Sequence, residues 1–241
     1  MNTKYPNIVE FQVSGDYALF SDPLMRIGGE KSTYQIPTYE AMKGILSSVY
    51  WKPTFIWIID EVRIINQIQT EVKGIRPIRY SGGNDLAYYT YLKNCVYQCR
   101  AHFEWNNNRP ELEMDRNENK HHQIAKRMIE KGGRRDIFLG SRECQGYVEP
   151  CVFGEGHGAY DQVPEIAFGL MYHGITYADE AYSKETEGAM TARFWYPVMK
   201  KGVIEFLRPE QCTMTKKLSN MEIKPFGNDN FSSLKEFGEV I

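Results

Sequence analysis

Between Cys95 and Trp105 the chain changes character at nearly every step: Cys95, Tyr97, Cys99, Ala101, Phe103 and Trp105 alternate with Gln98, Arg100, His102 and Glu104. A period of two belongs to a strand with one packed and one polar face, not to a helix of period 3.6. Residues 8–20 show the same period, Val9, Phe11 and Val13 against Glu10, Gln12 and Ser14. Residues 55–59 are continuously apolar, and Val62 and Ile64 resume the alternation, as in a strand that starts in the middle of a sheet. Residues 137–148 read as a further strand.

Two helices interleave with these strands. Past Pro37-Thr38, the residues Met42, Ile45, Leu46, Val49 and Tyr50 keep one apolar face until Lys52-Pro53 ends it. On this reading Tyr50 is a core aromatic of the last turn, its hydroxyl reaching the edge. Ile124, Ala125, Met128 and Ile129 recur at helical spacing, with Gly132 placed as a left-handed residue just past the end. The order strand, helix, strand, strand, helix, strand predicts an α+β fold with a ferredoxin-like, RNA-recognition-motif-like (RRM-like) domain over residues 1–152. Gly154-Glu155-Gly156-His157-Gly158 marks a boundary. Residues 153–241 are expected to form a small antiparallel β-sheet domain, with strands at 166–177, 192–199 and 203–207, a hairpin turn at Lys200-Lys201-Gly202, a loop at 178–188 and a peripheral last dozen residues.

With 241 residues, 42% hydrophobic and 25% charged, the chain can bury a real core. No apolar run reaches the length of a membrane span and the start lacks a secretion-signal pattern, so a cytoplasmic address without membrane contact is expected. The 5 cysteines form no Cys-x-x-Cys pair, which speaks against zinc and a disulfide framework and for free buried thiols. The net charge of −2 conceals an asymmetry: between Lys120 and Arg142 seven basic residues face only Glu130 and Asp136, whereas residues 143–241 are acidic overall. A localised surface for a polyanion follows, rather than a basic domain.

Lys120 and His121 fall in the first turn of the second helix, where free N–H groups and the positive dipole end welcome phosphate and disfavour a charged imidazole. Successive helical residues point about 100° apart, so the pair converges only at the very start of the helix. Residues 73–83 read as a loop carrying Lys73, Arg76 and Arg79, either a phosphate grip or a solvated surface. Gly28-Gly29-Glu30-Lys31 lacks phosphate-loop spacing and reads as a turn. Adjacent Asp60 and Glu61 should point to opposite faces of a strand. His102, on the polar face, reads as a surface residue. Glu111, Glu113, Asp115 and Glu118 read as a solvated acidic lead into the helix, with magnesium binding and a metal-dependent nuclease as the alternative.

Several segments together resemble one family. They are Gly15-Asp16-Tyr17-Ala18-Leu19-Phe20, the stretch ending Tyr50-Trp51-Lys52-Pro53, Lys120-His121, Gly132-Gly133-Arg134-Arg135-Asp136-Ile137-Phe138-Leu139-Gly140, and Arg142-Glu143-Cys144-Gln145-Gly146-Tyr147-Val148. They are similar to the Cas five family of CRISPR type I-C (Dvulg) systems. The resemblance implies a ferredoxin-like domain followed by a small β domain. It also implies cleavage of precursor CRISPR RNA within repeat hairpins without metal or other cofactor, and retention in the surveillance complex beside other subunits. It places the catalytic tyrosine, lysine and histidine on Tyr50, Lys120 and His121. With that activity, Arg76, Arg79, Lys126, Arg134, Arg135 and Arg142 are expected to bind RNA backbone. A non-catalytic scaffold for the 5′ tag of guide RNA is the alternative, and duplex DNA is a further partner class.

Overall fold

The computed structural model describes residues 5–23 and 29–223. Gly28 of the glycine-rich turn and the last dozen residues lie outside the described residues. The alternating segment becomes β4 (Ala87–Trp105), a 19-residue strand around which the main sheet is built. β1 (Val9–Ala18) and β2 (Phe55–Ile64) flank it antiparallel, so that Phe11 and Val62 both face Cys99 across the ladders. β6 (Gln145–Pro150) pairs with β1, and β5 (Ile137–Phe138) pairs with β6.

The single strand expected over 137–148 is therefore two, separated by a turn. Gly140 makes the turn at φ +90°, and a Cβ there would lie 2.2 Å from the Leu19 carbonyl oxygen. A second difference is β3 (Thr70–Ile75), which pairs with the start of β4 and runs into the loop expected over 73–83. Its side chains are half-buried or exposed, so burial imposes no strong apolar alternation on it.

α1 (Tyr39–Val49) and α2 (Glu118–Glu130) pack on one face of the sheet. The Thr38 side chain accepts the Ala41 N–H at 3.1 Å, and that of Asn117 accepts the Lys120 N–H at 3.0 Å, so each helix starts on a side-chain cap. α2 ends as expected, with Gly132 at φ 78°. Met42, Ile45, Leu46 and Val49 from α1, with Ala125 and Ile129 from α2, are buried against Phe11, Val13, Cys99 and Phe103. Burial of such side chains contributes roughly 1.5–3 kcal/mol each.

The C-terminal strands divide between two sheets. β7 (Ile166–Ala167), β10 (Val198–Lys200) and β11 (Val203–Glu205) continue the main sheet beyond β2; β8 (Met171–Thr176), β9 (Ala189–Trp195) and β12 (Met214–Asn220) form a second one. Among the described residues the main sheet has nine strands, in the order β5-β6-β1-β4-β2-β11-β10-β7 with β3 on β4. The strands expected at 166–177 and 192–199 each break in the middle, because each serves both sheets. The hairpin at Lys200-Lys201-Gly202 forms, with both central residues left-handed at φ 49° and 80°.

The polar face of β4 is covered rather than open. Gln98 donates to the Glu155 carbonyl at 2.9 Å, Phe153 lies against Arg100, and Tyr5 stacks on His102 at 3.7 Å. His102 is thus fully buried, not a surface residue. A bulge between Ile59 and Glu61 turns both adjacent carboxylates to this face: Asp60 meets His102 at 2.8 Å and Glu61 meets Arg100. Simple alternation had placed them on opposite faces. All five cysteines are free thiols, Cys151 half-buried and the rest buried. No helix among the described residues is long and apolar enough to cross a membrane.

Candidate active site

Tyr50 stands just past the end of α1. It caps the helix through its N–H to the Leu46 carbonyl, 2.9 Å, but its own backbone is extended (φ −157°, ψ 127°). The chain must leave helical geometry before Pro53, and this extension turns the phenol inward until 3% of the residue is exposed. Trp57 fixes the turn by donating its indole N–H to the Tyr50 carbonyl at 2.7 Å.

His121 approaches from the first turn of α2 and is wholly buried. Its ring is wedged among Phe55, Phe103 and Trp105, at centroid distances of 5.3, 6.3 and 5.9 Å. Nδ1 lies 2.8 Å from the Tyr50 hydroxyl and Nε2 lies 2.8 Å from the Asp115 carbonyl oxygen. A carbonyl only accepts, so Nε2 carries the proton; Nδ1 of the neutral ring is then a lone pair that accepts the Tyr50 O–H.

Lys120 points elsewhere, with its side chain about half exposed, and does not meet His121 directly. Asp115 joins them. Its Oδ1 accepts the Lys120 ammonium at 2.5 Å; its Oδ2 accepts the Thr54 hydroxyl at 2.8 Å and lies 3.4 Å from His121 Nε2. The expected convergence of Lys120 and His121 is therefore indirect, through a residue read from sequence as part of a solvated acidic lead. Its pattern signal is slight: an acid five residues before the lysine, beyond the helix cap, placed by the 3-10 turn that it ends (Pro110–Asp115) and by Thr54 at the entrance to β2. The hydrogen bond from Lys120, then that from Thr54, holds the Asp115 carboxyl below its ordinary range against the opposing effect of burial. Burial, then the Asp115 charge, raises the Tyr50 phenol, with Arg134 pulling the other way.

The expected RNA-binding residues separate. Arg134 and Arg135 are exposed on the exit loop of α2, which docks beside the end of α1 through the Arg135 N–H to the Ser48 carbonyl at 3.1 Å. Arg142 is exposed on the turn between β5 and β6. Lys126 lies exposed on α2, beside a groove shared with His122, Tyr5 and Pro150. Arg76 and Arg79 follow β3 at the far end of β4, and Arg79 is paired with Asp85 at 3.0 Å. That end and the one packed on His121 are the opposite ends of the 19-residue β4, at most about 60 Å apart at ~3.3 Å per residue. Among the described residues no group of three or more His, Cys, Asp or Glu side chains is placed to share a metal ion.

The family model described as "CRISPR-associated protein (Cas_Cas5)", of the Cas5d type, matches residues 8–207, which contain this whole constellation. The chain belongs to the Cas5d family. It is 37% identical over 65 residues to a protein of Mannheimia succiniciproducens, and 32% identical over 57 residues to one of Thermus thermophilus, both named CRISPR pre-crRNA endoribonuclease Cas5d. Those matches cover 27% and 24% of this chain, and 28% and 24% of the relatives' own lengths. Two solved structures are similar over 87% of this chain and 96% of theirs, each at 37% identity. One is described as a CRISPR-associated protein, with a TM-score of 0.73; the other is SMU1763c of Streptococcus mutans, with a TM-score of 0.72. The Cas5d family match thus takes in both sheets of the described fold except β12.

Proposed function

We propose that the protein is a metal-independent endoribonuclease that cuts precursor CRISPR RNA within its repeat hairpins and stays on the RNA as a subunit of the type I-C surveillance complex. The observation that carries the reading is the 2.8 Å contact from the Tyr50 hydroxyl to an imidazole nitrogen whose partner nitrogen is already committed. The names of the partial relatives are in keeping with it.

In this reading Tyr50 is the group that meets the RNA. As the 2′-hydroxyl oxygen attacks the adjacent phosphorus, its proton passes to the Tyr50 oxygen while the Tyr50 proton passes to His121 Nδ1. The P–O bond to the 5′-oxygen breaks and that oxygen takes a proton from water, leaving a 2′,3′-cyclic phosphate and a 5′-hydroxyl; the proton gained by the Tyr50–His121 pair then neutralises the hydroxide formed. Lys120 and Arg134 stabilise the charge gathering on the phosphate. Arg135, Arg142, Lys126, Arg76 and Arg79 hold the flanking backbone, which gives affinity without reading sequence.

The strand order β6-β1-β4-β2, all antiparallel, with α1 and α2 on one face, supports a ferredoxin-like description of residues 1–152. Residues 153–241 are assigned as the β part. Its loop 153–161 and strands β10–β11 lie along the polar face and free edge of the first part, supporting recognition of hairpin shape over bases spread across the sheet. Near-complete burial of Tyr50 and His121 favours one other reading, a scaffold that binds the 5′ tag and does not cut.

The test is incubation of the purified chain with its repeat hairpin in EDTA, beside the same RNA carrying one 2′-deoxy sugar at the cut site. Cleavage of the first and survival of the second is the expected result. A third arm omits EDTA: an RNA left whole in all three supports the scaffold, and cleavage only where EDTA is omitted supports a metal-dependent nuclease.

A further inference from the structure

We infer that Asp115 is a positioning residue of the cleavage site: its carboxylate aims the Lys120 ammonium at the bound phosphate, and its backbone carbonyl keeps His121 in the tautomer that accepts a proton from Tyr50. The inference rests on the nuclease reading above. A carboxylate beside a scissile phosphodiester repels it, so its presence calls for a role that outweighs the repulsion. Both carboxylate oxygens are occupied, Oδ1 by Lys120 at 2.5 Å and Oδ2 by the Thr54 hydroxyl at 2.8 Å, while the main-chain oxygen takes His121 Nε2–H at 2.8 Å. Two of these three contacts reach the assigned groups contributed by α2, and the third, from Thr54, holds the carboxylate between them.

Asp115 is itself held by rigid parts. Thr54 is buried, and its carbonyl accepts the Asn106 N–H at 2.9 Å, which ties the entrance of β2 to the exit of β4. The next residue, Arg116, closes the 3-10 turn by donating its N–H to the Glu113 carbonyl at 3.0 Å. A lysine ammonium on four rotatable bonds samples a wide volume, and a fixed acceptor narrows it before substrate arrives. One N–H of Lys120 is spent on Asp115, leaving two for phosphate oxygens. The carboxylate also keeps its charge below the usual aspartate range, chiefly through the Lys120 hydrogen bond, so the arrangement persists at any pH near neutrality.

The experiment compares wild type, Asp115→Asn, Lys120→Ala and the double variant as full chains, with the repeat hairpin RNA in EDTA. Single-turnover cleavage rate, RNA Kd and thermal melting are measured for each. Asp115→Asn keeps the size and one acceptor oxygen, turns the other oxygen into an amide donor that the Thr54 hydroxyl can accept, and loses the charge. It should melt near wild type, cut about a hundredfold more slowly, the cost of displacing a reacting group by about 1 Å, and bind RNA as well as wild type or better. In the Lys120→Ala background the same change should slow cleavage no further, because the group it acts through is gone. A ring-15N spectrum should show His121 as the Nε2–H tautomer in both wild type and Asp115→Asn.

Four results overturn the inference: a rate within threefold of wild type, an effect that adds in full to Lys120→Ala, a rate loss matched by lost RNA affinity or lost folding, or an Nδ1–H tautomer. A wild-type protein that leaves the RNA whole removes the nuclease reading and this inference together. A wild type that cuts, with additive variants, removes this inference alone.

Discussion

His102, a residue of β4, and His121, packed against the opposite face of the same stretch, are both wholly buried, yet their surroundings differ. His102 lies between carboxylates, Asp60 at 2.8 Å and Glu104 at 3.4 Å, with Tyr5 stacked on its ring. Arg208 grips Glu104 through two bonds of 3.0 and 2.8 Å, so the network closes on itself within the sheet and its covering segments. His121 has a phenol on one nitrogen and a carbonyl on the other, which leaves a lone pair aimed at a movable proton. Burial alone therefore does not separate the two histidines; the atoms facing their nitrogens do, and on the proposed function only His121 takes part in the reaction.

The strongest way to break this comparison is to remove each ring. His121→Ala and Tyr50→Phe should each slow RNA cleavage by about 10²–10⁴, the span of general acid–base catalysis, in single-turnover assays at saturating protein. Cleavage by His102→Ala at the wild-type rate, while the protein stays folded, would complete the contrast; a matching collapse would erase it. Lys120→Ala should cost about a hundredfold in the same assay, with RNA Kd within about tenfold, or 1.4 kcal/mol. In urea melts His102→Ala should lose about 3 kcal/mol, as expected when one partner of a buried pair is removed.

His173 sharpens the comparison as a third buried ring, stacked on Tyr39 and accepting Arg193 Nε–H at 3.3 Å. Burial, then the Arg193 charge, depresses it to about 3. The folded protein keeps it neutral while the unfolded chain takes up a proton near pH 6.5, so its stabilising share is complete above about 6.5 and declines as pH falls toward 3. Denaturation midpoints measured from pH 7 to 4 should fall less steeply in His173→Gln. The smallest effect is expected at Arg134: Arg134→Ala should weaken RNA binding modestly and reduce the salt slope by about one, read from Kd at several salt concentrations.

How far each corner was legible follows from what made its signal. Burial on one face writes a period into the chain, so β1, β4 and both helices could be read directly, and the caps Thr38 and Asn117 lie where the helices start. β3 has little burial, so the apolar alternation behind the other strand assignments is largely absent from it. His102 looked exposed because alternation reports only that a face is polar, not that Tyr5 and residues 153–161 cover it. Tyr50, Lys120 and His121 were named through resemblance, since spacing alone leaves a Lys-His pair at a helix start ambiguous. Asp115 reads from sequence only as part of an acidic lead, because no pattern reports that the turn before the helix aims it at Lys120 and His121 or that folding brings Thr54 to it.

Local forces set what could be known beforehand: apolar periods, capping side chains, a glycine past a helix, and a cluster of basic charge near one helix. These act over a few residues and leave their mark in order along the chain. Tertiary structure decided that an aspartate outside the helix joins the lysine to the histidine, that a bulge turns two adjacent acids to one face, and that the last third of the chain completes the main sheet. The aspartate is held by Thr54 from the entrance to β2, and the other two rest on pairings between segments far apart in sequence, which only packing fixes.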